Sequence, residues 1–253
     1  MIGWTEEIKE GAANMDLQRL DKILASTGKW SRREVKQMAR QGRILANGVP
    51  ASSAEEKYDP TQTAFTVDGE DVSYRSVTWL MMNKPGGVLS ATEDGHGSTV
   101  LDLLPPELRR QGLFPVGRLD KDTEGLLLLT NDGALAHRLL SPRHHVDKLY
   151  EVTVDGCLTE ADCAAFREGM VLGDGLHCLP AELEILQAGE TSMARVTLRE
   201  GKFHQIKRML AARGKPVVFL RRVKMGNLPL DPALESGGFR FLTQQELDIL
   251  QSS

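Results

Sequence analysis

Leu126-Leu127-Leu128-Leu129 is an unbroken apolar run, and it follows at once on Gly117-Arg118-Leu119-Asp120-Lys121-Asp122-Thr123-Glu124-Gly125, a stretch with five charged residues. A short apolar run bounded by turn signals reads as a buried strand, and Asn131-Asp132-Gly133 closes it at the far end. The charged stretch is therefore a loop feeding a core element. Asp120 sits on that loop beside the fixed cation of Arg118. A carboxylate placed on a loop by a rigid scaffold is a common arrangement for a functional group.

Three readings fit the loop. Asp120-x-Asp122-x-Glu124-Gly125 imitates the start of an EF-hand, but its last ligand position falls on Asn131 and the leucines intervene. A loop that wraps an ion cannot also be a buried strand. The other two readings are a charged turn capping a strand, and a nucleophilic or basic Asp kept ionised by a nearby cation. Spacing alone leaves those two open.

The surrounding chain supplies a charge argument. The net charge of −4 by itself speaks against nucleic acid. Its distribution speaks for it. Residues 16–50 carry eight Lys and Arg against three Asp and Glu, net +5, and residues 199–224 carry nine against one, net +8. Two basic patches on an acidic body suit a polyanion bound at defined places.

Residues 1–15 are polar and aperiodic and read as a tail, or as the product of an upstream start with Met15 as the functional one. From Asp16 the spacing of Leu17, Leu20, Ile23 and Leu24 predicts a helix, with Gly28 able to end it. Ser31 and Glu34 form a capping box for a second helix, Arg32 to Gln41. A strand at Ile44-Leu45-Ala46 meets the hairpin turn Asn47-Gly48. Arg19 and Lys22, Arg33 and Lys36, and Lys36 and Arg40 are each one helical turn apart, a spacing that lines cations along a face able to track phosphates. A merely solvated face is the plainer alternative.

Further strands are expected at Ala64–Val67, Trp79 to Lys84, Lys148 to Val154, Leu179 to Leu186, Met193 to Leu198 and, buried, Val217 to Leu220. Helices are expected at Ala134–Leu140, Glu160–Glu168 behind Thr159, from the 201–210 segment to Gly214, and from Thr243 to Leu250. Cys157, Cys163 and Cys178 show no CxxC pair, and His144-His145 stands in no metal-binding spacing. No P-loop or GxGxxG is present, no run is long enough to span a membrane, and the first residues lack the basic start and apolar core of a secretory signal. The expected compartment is the cytoplasm.

GRLDKDTEGLLLLTNDG, residues 117–133, resembles the signature of the pseudouridine synthases of the RsuA/RluA superfamily. Asn83-Lys84-Pro85-Gly86-Gly87 resembles their supporting N-K-P-x-G motif. Lys148-Leu149-Tyr150 resembles K-x-Y, and Gly201-Lys202-Phe203-His204-Gln205-Ile206-Lys207 resembles the last motif, G-[RK]-x-H-Q-[IV]-[RK]. Residues 19–48 resemble the S4 RNA-binding module.

The resemblance implies an α+β protein: an S4 module at 16–75, then a catalytic domain at 76–253 on a mixed, largely antiparallel sheet with flanking helices. It implies Asp120 as the catalytic residue, Tyr150 against the target base, and Lys207 paired with Asp120. Arg118, Leu119 and Ile206 would serve base flipping and the uracil pocket. RNA contacts would come from Arg19, Lys22, Ser31, Arg32, Arg33, Lys36 and Arg40. No cofactor or metal is implied, and a monomer is expected. The implied partner is ribosomal RNA. The Ser141-Pro142-Arg143-His144-His145-Val146-x-Lys148-x-Tyr150 segment looks closest to the family member acting on 16S RNA, free or in an assembling small subunit. Sister enzymes act on 23S RNA. A non-catalytic S4 RNA-binding or ribosome-assembly protein is the alternative of another class.

Overall fold

The computed structural model describes residues 17–75, 77–141 and 146–252. The chain divides into two compact units. The first holds the described residues before position 76 together with Pro106–Gln111, and the second holds the remainder.

In the first unit β1 (Gln18–Arg19) leads into α1 (Leu20–Ser26) and α2 (Arg32–Arg40). The short strands β2 (Ile44–Ala46), β3 (Val49–Pro50), β4 (Lys57–Tyr58), β5 (Phe65–Val67) and β6 (Glu70–Val72) follow. Ser31 and Glu34 close the capping box of α2. Asn47 and Gly48, with φ of 50° and 80°, make the tight turn between β2 and β3 that their sequence demands. Leu20, Ile23, Leu24, Val35, Met38 and Ile44 pack into one small core with Phe65.

The expectation of a helix from Asp16 is corrected at its start. Asp16 lies outside the described residues, Leu17 is 49% exposed, and Gln18–Arg19 pairs with β4 instead. The amides of Leu20 and Asp21 donate to Glu56 O (2.8 Å) and Ala54 O (2.9 Å), so tertiary partners take the groups an earlier helical turn would need.

The second unit carries β7 (Trp79–Lys84), β8 (Phe114–Pro115), β9 (Glu124–Thr130), α4 (Gly133–Leu140), β10 (Lys148–Asp155) and α5 (Glu160–Glu168). The helix preceding β8 in sequence, α3 (Pro106–Arg109), belongs to the first unit, where neighbouring Gln111 Nε2 donates to Thr27 O at 3.0 Å. Then come β11 (Met170–Val171), β12 (His177–Cys178), β13 (Glu182–Gln187), β14 (Thr191–Leu198), α6 (Gln205–Ala212), β15 (Val217–Met225), β16 (Leu228–Pro229), β17 (Phe239–Phe241) and α7 (Gln244–Gln251).

The main sheet runs β13-β14-β10-β15-β9-β7-β17, with β8 on β9 and β16 on β15. Its pairings are antiparallel except β9 with β15, which is parallel. The architecture is mixed α+β, as the sequence implied. Every residue of β7, and Gly125 to Thr130 of β9, is buried, which is why the leucine run shows no alternation. Leu126 and Leu128 join Trp79, Met81 and Leu139 in one core cluster.

Gly125 makes the parallel joint possible. Its φ is +98°, and a Cβ there would lie 2.2 Å from Arg222 O. The expected buried strand at 217–220 is longer and less covered than the sequence suggested. Val218 is 68% exposed, and the inward alternation begins only at Leu220, past a register irregularity opposite Thr153 and Val154. Likewise the strand expected from Leu179 starts at Glu182. Leu179 is exposed, and its amide is taken by Glu200 Oε1 at 2.8 Å.

Candidate active site

The loop that precedes β9 is tied down along its backbone. Lys84, fully buried at the end of β7, donates to Pro85 O (3.0 Å), Lys121 O (3.1 Å) and Thr123 O (2.9 Å). Ser90 Oγ donates to Leu119 O at 2.9 Å, and Gly87 N to Lys121 O at 2.7 Å. Thr123 N closes the turn onto Asp120 O at 3.1 Å. With its backbone so committed, the loop presents the Asp120 carboxylate as a fixed group.

The cation facing it comes from α6. Lys207 Nζ lies 3.1 Å from Asp120 Oδ2 and also bonds Asp122 Oδ1. That lysine bond holds the Asp122 carboxyl below the usual range. His204 Nε2 is 3.7 Å from Asp120 Oδ1. His204 has φ of 50°, a left-handed residue that turns the chain into α6 so that Ile206 and Lys207 both face the loop.

Tyr150 stands on β10 and is 8% exposed. Arg118, Leu119, Asp120, Tyr150 and Ile206 line one cavity of about 70 Å³. Thr123 lines it too, and its buried hydroxyl has no hydrogen-bond partner among the described residues. The structure therefore brings together a half-buried carboxylate, its cation, an aromatic ring and an unspent hydroxyl. Such a set can hold a flat heterocycle against a reactive carboxylate.

The comparisons with known proteins agree with one another. The RNA pseudouridylate synthase family profile matches residues 78–212, and the S4 domain profile matches residues 18–63. An uncharacterised RNA pseudouridine synthase of Bacillus subtilis, YtzG, is 50% identical over 234 residues, covering 92% of this chain and 98% of its own. The ribosomal small subunit pseudouridine synthase A of Vibrio cholerae is 37% identical over 230 residues, covering 90% and 97%. A crystal structure of a pseudouridylate synthase, 36% identical, superposes with a TM-score of 0.65 over 92% of this chain and 99% of that one.

The chain belongs to the RNA pseudouridylate synthase family.

As a pseudouridine synthase it carries an S4 unit whose cations are not all equally available. Arg19 bonds Asp21 in a two-pronged pair and lies 3.5 Å from Glu55, and Lys36 lies 2.8 Å from Glu55. Arg19 is on β1, so the face it was expected to share with Lys22 on one helix does not exist. Ser31 spends its hydroxyl on the cap of α2. Lys22, Arg32, Arg33 and Arg40 are exposed. Positions 142–145, which carry the loop that looked closest to the 16S enzyme, lie outside the described residues.

Asn131, where a calcium loop would need its last ligand, accepts a bond from Thr78 N at 2.8 Å, and the leucines before it form β9. Among the described residues no group of His, Cys, Asp and Glu is placed to hold a metal ion, and no helix is long and apolar enough to cross a membrane.

Sequence reasoning passed over Thr123, His204, the depth of Lys84, and Arg222. Thr123, Lys84 and His204 each lie in a motif quoted above, which was the available signal, whereas Arg222 lies in none. Burial pushes the Lys84 ammonium down to about 8, against the pull of Asp122, Glu124 and Asp120. In the unfolded chain an ordinary lysine stays protonated to about 10.4. Between these values the unfolded state binds more protons, so the strain of burying Lys84 is full below about pH 8 and is relieved as pH rises. The unfolding free energy of wild type minus that of Lys84→Met is expected to increase between pH 7.5 and about 10, as measured by denaturant titration. A pH-independent difference would mean that burial does not lower the Lys84 ammonium below the range of an ordinary lysine.

Proposed function

We propose that the protein isomerises uridine to pseudouridine in 16S ribosomal RNA, free or in an assembling small subunit, with Asp120 as the catalytic carboxylate. The observation that carries the chemistry is Asp120 paired with Lys207 at the cavity lined by Tyr150 and Ile206. The substrate rests on the name and near full-length coverage of the Vibrio cholerae relative.

In the reaction the N1–C1′ bond breaks, a C5–C1′ bond forms, and C5 loses a proton while N1 gains one. The target base leaves its stack to reach the carboxylate. Arg118 fills the place it left, and the Tyr150 ring takes its face, a contact worth about 1–3 kcal/mol. Leu119 and Ile206 flank the ring, and the Thr123 hydroxyl meets one of its polar atoms. Asp120 acts as nucleophile at C1′ or as base at C2′, with Lys207 as its paired cation. The S4 unit, 16–75, holds the RNA backbone while the domain at 76–253 does the chemistry. The protein works as a monomer in the cytoplasm.

The test incubates the protein with unmodified 16S RNA, its assembly intermediate and 23S RNA, and maps pseudouridine by carbodiimide adducts and primer extension. A single site in 16S that Asp120→Ala fails to produce is expected. A site in 23S would overturn the substrate, and no site in any of them would favour a binding-only protein.

Arg33→Glu is expected to weaken RNA binding about tenfold and to flatten its salt dependence. Lys36→Glu is expected to cost less than Arg33→Glu, because Glu55 already offsets the charge of Lys36. Equal losses in filter-binding titrations would contradict the pairing seen here.

A further inference from the structure

Strand alternation puts Lys148 and Tyr150 of β10 on one face, and Leu220 and Arg222 of β15 on one face, with Tyr150 directly opposite Arg222 in the register. Leu220 and Tyr150 line the cavity at Asp120. Arg222 and Lys148 line a second and larger cavity, of about 500 Å³, that shares Arg118, Tyr150 and Lys202 with the first.

Arg222 is the unusual member. It is 2% exposed, and Nε donates to Leu126 O at 2.8 Å. Nη2 is buried with no hydrogen-bond partner among the described residues. A buried guanidinium nitrogen left without an acceptor is costly. Lys148 adds to the imbalance. Its Nζ bonds only Val146 O, at 2.8 Å, among the described residues. Burial and the charge of Arg222 push the Lys148 ammonium down to about 8, with Asp147 pulling the other way.

Other ion pairs do not remove this excess. Asp147 lies 3.1 Å from Arg199, and Glu200, the carboxylate in the cavity wall, lies 3.0 Å from Lys202. Arg118, at the shared rim, is exposed and has no ion pair among the described residues. Pairing off Arg199 and Lys202 leaves three cations, Arg222, Lys148 and Arg118, running from buried to exposed around one cavity.

We propose that this second cavity binds a backbone phosphate of the RNA strand next to the uridine held at Asp120, with Arg222 and Lys148 as its ligands. The site rests on the reaction proposed above and adds to it a means of fixing the strand beside the flipped base. An Arg fork beside a Lys point charge is well matched to a phosphodiester's oxygens. The volume admits a length of strand rather than a lone ion. An acceptor brought to Nη2 also repays the cost of its burial, so recognition occurs where the fold has left a bond unmade.

The experiment uses the full chain and a fragment of the RNA in which conversion is mapped, or the corresponding 16S fragment if none is found. Binding is measured with Asp120→Asn, which holds the RNA without converting it. Three RNAs are compared, one all-phosphate and two with an uncharged methylphosphonate immediately 5′ or 3′ of the target uridine. Lys148→Gln and Arg222→Gln are each added to the Asp120→Asn background.

One of the two methylphosphonates is expected to weaken binding about tenfold. Lys148→Gln is expected to weaken the all-phosphate RNA similarly, and the two changes together should cost no more than either alone. Losses that multiply, methylphosphonates without effect, or a failure to bind any of the RNAs would overturn the proposal. If Arg222→Gln does not fold, Lys148→Gln on the partly exposed wall still decides it.

Inorganic phosphate at constant ionic strength separates the other source of such an anion. Stabilisation by phosphate that Lys148→Gln abolishes, with methylphosphonate RNA bound normally, would assign the cavity to a free anion and overturn the RNA assignment. Conversion is read separately in the Asp120 wild type. Failure there, with the methylphosphonate effect intact, would remove the reaction and leave the phosphate site.

Discussion

Asp120→Asn is expected to lower pseudouridine formation by about four orders of magnitude while leaving RNA affinity within a few fold. Asparagine keeps the shape of the side chain and an oxygen for Lys207 to bond. It can neither attack C1′ nor take a proton at neutral pH. The backbone bonds that hold the loop, from Lys84, Ser90 and Gly87, do not involve the side chain, so the loop should stay in place. Release of tritium from C5-labelled uridine in a single turnover measures the reaction directly, because that proton is lost as the new bond forms. A rate within tenfold of wild type would take Asp120 out of the chemistry.

Lys207→Met is expected to lower the same rate about 100-fold or more, and Lys207→Arg to recover most of it. Lys207 is the cation within hydrogen-bond distance of Asp120, with His204 at a looser 3.7 Å. It also binds Asp122. Its removal takes away the cation that bridges the two carboxylates. Arginine keeps a cation at this place, because its guanidinium reaches carboxylates from a similar distance, and an unchanged denaturation midpoint in Lys207→Met would separate lost chemistry from lost fold. If methionine is tolerated within threefold, the pair is an ion bridge of the fold and not part of the reaction.

These effects come from residues whose motifs could be read in one dimension but whose geometry could not. The capping box of Ser31 and Glu34, the Asn47-Gly48 turn and the leucine strand of β9 were all legible. Each depends on chemistry within a few residues, such as a side chain reaching the amide three positions on, a φ that Asn and Gly tolerate, or an apolar run too short for a helix. The α+β class followed from those pieces and the motif resemblance. So did the identity of Asp120, Tyr150 and Lys207 as the residues to watch.

Tertiary structure decided which charges are spent and which are free. Lys36 and Arg19 looked like phosphate contacts until Glu55 was placed beside them. Arg222 was one of nine cations counted in the basic stretch 199–224. The parallel joint between β9 and β15 buries it, and Gly125 permits the approach of the two strands. Lys84 became the anchor of the loop that carries Asp120 because β7 pairs with β9 and delivers its ammonium to three carbonyls. Local propensity is carried by neighbours along the chain, and so it survives in the sequence. Burial and charge pairing are set by strands up to about a hundred residues apart, whose order in the sheet depends on the packing of the whole domain.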